Sequence, residues 1–374
     1  MELTNLFALY FAIGVASLGI GVVLPIIPMI IKGESGSENL YMGLSATIMA
    51  LSFSLSSFPI GKWIDKTCPK NAILFGLAIY CAAMSLFPYF HNITAFLAIR
   101  ALEGVGWGAI WMGAETQINL MSDTNERGRN MGIYGLCVSL GMAAGPLIGT
   151  FLLDYGIAKP FFACIFLTLC SAVLAACFVP HTVQVEKEAF QTKVPYWSLR
   201  YALLAAFLYG IFEASMMSMF PAYFLSIPLE KSSLSVVISS FFVGGILFQI
   251  PAGKMADKFG KERTLIGLAL FLALTMIIFC HATSVSELIV LGFLAGACGG
   301  AFYPVGLSIL PDKLSKKILG AGNANFTFIY GLGSILGPVT IALLMDNLSN
   351  RAIFYSFLPL CFAFVCMPLF RRKS

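Results

Sequence analysis

The 374-residue chain is 59% hydrophobic and 11% charged, with a formal net charge of +5 and a mean hydropathy of +0.87. A soluble domain carries nearer a quarter charged residues, and one water-facing shell cannot enclose this much apolar surface. The basic residues sit between apolar runs rather than on one soluble face, which excludes a nucleic-acid binder.

Apolar runs of membrane-spanning length recur along the chain. The pattern predicts twelve spans, at 6–31, 40–62, 71–90, 94–119, 129–153, 158–180, 198–225, 233–255, 263–281, 286–310, 317–345 and 351–370. The opening "MELTN" has no positive n-region and no small-residue cleavage site, so the first span reads as retained. Polar turns such as "KGESGSEN" at 32–39 and "MSDTNERGRN" at 121–130 separate the spans. The longest interruption, 181–197, divides them six and six. The expected domains are a bundle over 1–180, a linker over 181–197 and a bundle over 198–374. With the N-terminus inside, 18 of the 23 Lys and Arg fall on the cytoplasmic side. Only Lys32, Lys159, Lys231 and Arg351 fall outside, and Arg100 lies within a span. That asymmetry places both termini and the linker in the cytoplasm.

In span four, Arg100, Glu103, Trp107, Trp111 and Glu115 share one helical stripe. A charge at mid-bilayer costs about 3 kcal/mol or more, so this stripe faces protein or a wet cavity. It reads either as a substrate and proton pathway or as an Arg100–Glu103 pair that pins helices, with Glu115 nearer the cytoplasmic end. In span five, Gly141, Gly145 and Gly149 recur at four-residue steps around Pro146. Such spacing lets backbones approach closely, either as plain packing or as contacts between halves that rock as gates. In span seven, Tyr209, Glu213, Met216 and Phe220 form another stripe. No basic residue lies within two turns of Glu213, and burial disfavours its charged form. A carboxyl there suits proton uptake and release. The alternative is a permanently protonated acid in one interhelical hydrogen bond. Gln249 in span eight and Asn323 and Asn325 in span eleven are further cavity candidates. Span eleven also carries Gly333, Gly337 and Pro338. The ten cysteines show no CxxC spacing, and His91, His181 and His281 lie far apart, so no metal site is expected.

Two cytoplasmic loops nearly repeat each other, "GKWIDKTCPKN" at 61–71 and "GKMADKFGKER" at 253–263. The 192-residue offset from Asp65 to Asp257 also relates Gly104 to Gly296, Gly108 to Gly300, Gly145-Pro146 to Gly337-Pro338, and Asp154 to Asp346. An unbroken register over this distance marks two homologous six-helix halves in the same orientation, a parallel repeat. The expected fold is an all-α membrane protein of twelve transmembrane helices in two bundles.

Three motifs carry a family resemblance. The loop pattern G-x-x-x-D-R/K-x-G-R/K-R/K is met by Gly253, Asp257, Lys258, Gly260 and Lys261. The first copy keeps Gly61, Asp65 and Lys66 but has Cys68 and Pro69 where glycine and a basic residue belong. Arg100, Glu103, Gly104 and Gly106 fit R-x-x-Q/E-G-x-G. Gly141, Gly145, Pro146 and Gly149 fit G-x-x-x-G-P-x-x-G. On these residues the whole chain resembles the major facilitator superfamily, and the last motif resembles its drug:H+ antiporter branch. The resemblance implies alternating access, a monomer, and a latch in which Asp65 faces the start of helix eleven and Asp257 the start of helix five.

The function expected is proton-coupled efflux of small apolar or amphipathic molecules or metabolites in a bacterial cytoplasmic membrane. Protons, a small-molecule substrate and the bilayer are its partners, and the proton gradient replaces any cofactor. A proton-coupled uptake symporter or uniporter is the alternative. A non-transporting membrane sensor or scaffold fits the intramembrane charges and short tails less well. No enzyme is expected, because no phosphate loop, metal cluster or nucleophile with a base occurs; "GLGSILG" at 331–337 lies inside an apolar span.

Overall fold

The computed structural model describes residues 2–34, 39–90, 92–122, 126–182, 196–230, 233–315 and 318–370. Among them the chain is helical: α1 (Glu2–Val23), α2 (Ile26–Glu34), α3 (Asn39–Lys66), α4 (Pro69–Leu86), α5 (Ile93–Met121), α6 (Arg127–Leu153) and α7 (Ala158–Phe178), then α8 (Arg200–Leu225), α9 (Ser233–Phe259), α10 (Lys261–Phe279), α11 (Val285–Ser308), α12 (Leu310–Lys313), α13 (Leu319–Asn347), α14 (Ala352–Tyr355) and α15 (Leu358–Cys366). Eleven stretches are long and apolar enough to cross a membrane, and Ala352–Cys366 is a shorter apolar twelfth. The expected first span is broken between Val23 and Ile26, where Pro25 brings no backbone donor. The last is broken between Tyr355 and Leu358. Large apolar side chains such as Phe11 and Phe166 lie outside at 64% and 66% exposure, as a lipid-facing surface demands.

The chain forms two compact units, Met1–Ser37 with Leu44–Lys187, and Glu38–Gly43 with Glu188–Ser374. Most of the expected linker, 183–195, lies outside the described residues. In the first unit α1 packs on α6 and α7, and α4 packs on α5 and α7; in the second, α8 packs on α13, α9 on α11, and α10 on α11 and α15.

Glycine sets the closest of these approaches. A Cβ on Gly149 would overlap the Val22 carbonyl oxygen, and one on Gly145 would overlap the backbone at Gly21. In the second unit, Gly210 and Gly333 meet the carbonyls of Tyr330 and Phe207, and Gly337 would bring a Cβ within 2.9 Å of Ile211 Cα. The Gly141–Gly145–Gly149 stripe therefore joins α6 to α1 within one unit. This corrects the expectation of contacts between halves at these positions. Pro146 and Pro338 sit inside continuous helices.

The first turn of α3 clusters with the second unit. Asp346, at the end of α13, accepts the Asn39 and Leu40 backbone N–H groups, each at 2.9 Å, and the Asn39 side-chain amide at 2.8 Å. A carboxylate at a helix N-terminus satisfies orphan donors and faces the positive end of the dipole. Asp346→Ala is expected to cost about 1–2 kcal/mol, read as a lower midpoint in thermal unfolding of the detergent-solubilised protein, with Asp346→Asn losing less.

The two copies of the repeated loop turn differently. Gly260, between α9 and α10, has φ 93°, a left-handed conformation that glycine adopts without cost. Its counterpart Cys68 is extended at φ −153°, and Pro69 follows as the first residue of α4. Proline suits that position because its missing N–H would be unpaired anyway. The departure of the first copy from the family pattern is thus a second solution to the same turn.

Candidate functional site

The second unit holds a partly buried carboxyl between two phenols. Tyr209 and Glu213 are one turn apart on α8, and the Tyr209 hydroxyl donates to Glu213 Oε1 at 3.0 Å. From α13 the Tyr330 hydroxyl donates to Oε2 at 2.6 Å. Each carboxyl oxygen therefore has its own donor, from a different helix. Tyr303 of α11 closes the group, with its ring centroid 5.5 Å from those of both Tyr209 and Tyr330, and Phe326 lies 5.0 Å from Tyr303. No charged side chain among the described residues pairs with Glu213. The sequence stripe found Tyr209 and Glu213 but not Tyr303 or Tyr330, which arrive from helices about 90 and 120 residues downstream.

The same stripe's other members point elsewhere. Met216 and Phe220 are fully buried. Phe220 packs among Tyr223, Phe224, Phe241 and Phe279 with ring centroids 5.4–6.3 Å away. These two residues are core rather than cavity, because burial on a helix inside a bundle favours large apolar side chains whether or not a ligand is near.

In the first unit Arg100 Nη1 lies 2.5 Å from Glu103 Oε2, and Glu103 is 3% exposed. Arg100 Nε also reaches the Ser45 carbonyl at 3.5 Å. The pair neutralises itself. Further along α5, Trp107 and Trp111 stack with centroids 6.0 Å apart and planes at 26°. They line a narrow crevice with Ile13, Ala16, Ser17 and Ile20 of α1 and Tyr134 and Val138 of α6. Glu115 lies beside the Trp111 indole and close to Tyr134. Span four thus separates into a closed ion pair and, one to three turns on, an aromatic crevice with a carboxyl at its edge.

The remaining candidates are dispersed. Gln249 and Asn323 are exposed. Asn325 accepts a hydrogen bond from the Tyr196 hydroxyl at 2.9 Å and so holds the chain entering α8. In the repeated loops, Gly61 lies near Met112, whose Cε would stand 3.3 Å from an added Cβ, whereas Gly253 borders open space. The Asp65 side chain lies outside the described residues. Lys66, Asp257 and Lys258 are exposed, with Lys258 over the Phe259 ring. Lys261 bonds the Ser308 carbonyl and Asp312, each at 2.6 Å. Lys70 does the same for the Ala176 carbonyl at 2.7 Å. Both lysines close the C-terminal end of a helix, where carbonyls lack partners and the dipole is negative.

Two bundles of apolar helices, with the charge inside their spans confined to a few side chains, define a membrane transporter. The chain belongs to the major facilitator superfamily, whose model matches residues 9–201 and again 202–374, one match for each half. It is 28% identical to an uncharacterized MFS-type transporter, YfkF, of Bacillus subtilis (strain 168), covering 100% of this chain and 96% of that one. It is 24% identical to the quinolone resistance protein NorA of Staphylococcus aureus (strain MRSA252), covering 91% and 90%. Among solved structures, a point mutant of the nucleoside transporter NupG superposes with a TM-score of 0.80 over 98% of this chain and 100% of that one, at 13% identity. That likeness bears on the fold alone.

Proposed function

We propose that the protein exports small apolar or amphipathic molecules in exchange for protons, by alternating access, with Glu213 as the proton carrier. The observation that carries this reading is the phenol-clamped, unpaired carboxyl in the second unit. A carboxylate can accept both phenol hydrogen bonds. Once it is protonated, one oxygen carries a hydrogen that needs an acceptor, so the phenol beside it can reverse from donor to acceptor. Protonation thereby reaches both α8 and α13, a helix pair brought close by Gly210, Gly333 and Gly337. The direction of transport follows the likeness to NorA, a protein named for quinolone resistance, and the antiporter motif at Gly141–Gly149.

In this reading the Arg100–Glu103 pair holds helices, and Trp107 and Trp111 meet the substrate. Glu115 is a second carboxyl at that wall. The loop residues Gly61, Asp65, Lys66, Gly253, Asp257, Lys258 and Lys261 form the cytoplasmic gate. The protein works as a monomer in a bacterial cytoplasmic membrane, with both termini inside and the proton gradient as its energy source. Substrates are found by a susceptibility and metabolite-export screen of a deletion strain. The deciding experiment is then gradient-driven transport by Glu213→Gln in proteoliposomes. Tyr330→Phe removes the shorter phenol bond and is expected to slow gradient-driven transport about 3- to 10-fold. Tyr209→Phe, which removes the longer one, is expected to slow it less, as initial rates at equal protein content.

A further inference from the structure

Helix α3 is divided between the two units. Its start, within Glu38–Gly43, clusters with the second, and the chain from Leu44 onward with the first. Each part has its own anchors. In the second unit, Asp346 at the end of α13 accepts the Asn39 and Leu40 backbone N–H groups and the Asn39 side-chain amide. That amide also donates to Asn350 Oδ1 at 3.1 Å. In the first unit, Arg100 of α5 reaches the Ser45 carbonyl at 3.5 Å, and a Cβ on Gly104 would overlap the Met49 carbonyl oxygen. Between Leu40 and Ser45 the helix passes from one set of anchors to the other.

Gly43 sits at that passage. A Cβ there would stand 2.6 Å from Ala342 Cβ and 2.7 Å from the Pro338 carbonyl oxygen of α13. Neither neighbour is the end of a flexible side chain, so the turn lies on α13 only because position 43 is glycine. Glycine inside a helix is destabilising by about 0.5–1 kcal/mol relative to alanine. Helix stability is thus given up for a close approach. The approach is held by hydrogen bonds to an exposed carboxylate. Such bonds exchange for water with a small net loss, about 0.5–1.5 kcal/mol each for neutral partners, so the contact can be made and broken repeatedly.

We propose that the first turn of α3, seated at Gly43 and held by Asp346, is the outer latch of the transporter. It is bound to α13 while the outer side is closed and lets go when that side opens. The inference rests on the alternating-access reading above and names a contact that breaks in each cycle. Charge asymmetry places it on the face opposite the Lys66 end of α3. The family motif implies carboxylates facing helix starts on the cytoplasmic side; this one lies on the other.

Hydrogen–deuterium exchange of the purified full chain, read by peptide mass spectrometry, tests this without substrate or gradient. Asp346→Ala is expected to speed exchange over residues 39–48 and at the outer end of α13 about 5- to 30-fold. It should slow exchange at the opposite ends of the same helices, near Lys66 and Asn323, as the population moves to the outward-open state. Gly43→Ala should do the same, although alanine is the better helix former. Asn347→Ala is the control: its amide bonds the Leu343 carbonyl of its own helix, and its loss should move neither end. A rise confined to the first turn of α3 would reduce Asp346 to a helix cap, and a rise at both ends would show general loosening; either overturns the proposal. So does slower exchange in Gly43→Ala, the result that helix propensity alone dictates. If Gly43→Ala does not fold, the two-ended pattern in Asp346→Ala decides. Gradient-driven transport by Glu213→Gln is measured separately, so failure of the latch leaves the proton assignment standing, and the reverse.

Discussion

Glu213→Gln is expected to lower gradient-driven transport about 100-fold or more, in the range typical of removing a positioned acid–base group. Glutamine keeps the size of the side chain and can accept a phenol hydrogen bond, so the folded yield should hold. It cannot take up or release a proton. Substrate exchange without a pH gradient should therefore persist while accumulation against one disappears. Both are read as initial rates in proteoliposomes, with and without an imposed gradient. Undiminished gradient-driven transport would remove Glu213 from the mechanism.

Gly145→Leu is expected to destabilise the first unit by about 3–5 kcal/mol, at the large end for a single substitution. The added side chain begins inside the backbone at Gly21, and neither helix has a flexible atom there to yield. α1 and α6 must separate, and with them α1 from α7. Size-exclusion of the solubilised protein should show loss of the monodisperse peak. Gly135 on the same helix is the control, since an added Cβ there meets nothing within 4 Å. Gly135→Ala should be neutral or stabilising by up to about 1 kcal/mol. Equal damage at both positions would show that helix contact is not what the glycine preserves.

Much of the fold was legible because a bilayer leaves a chain few options. Apolar runs of spanning length, divided by polar turns, must be helices, and the 192-residue register exposed the duplication. The breaks at 24–25 and 356–357 were harder, since short interruptions leave the average hydropathy high. The site was half legible. A charge inside a span stands out, so Arg100, Glu103 and Glu213 declared themselves. Their partners did not: Tyr330 reaches Glu213 across 117 residues of sequence, and a tyrosine in an apolar helix is ordinary by composition. The repeat held the missing signal, because it maps the noticed Trp111 onto the unnoticed Tyr303. Met216 and Phe220 misled for the opposite reason. They share a helical stripe with Glu213, but a stripe gives direction from the axis and not depth along it.

The dihedral angle at Gly260 also bears on the history of the two halves. At φ 93° that position accepts a side chain only with strain of about 1–2 kcal/mol. Position 68, at φ −153°, accepts glycine or cysteine alike. Exchange of the two residues is therefore open in one direction. A lineage that begins with glycine at both loops can replace the first only after, or together with, its shift to extended backbone ahead of Pro69. The second stays fixed until its own turn is rebuilt. Such one-way steps entrench a gene duplication: each half accumulates changes the other cannot copy, and twin bundles become dissimilar parts.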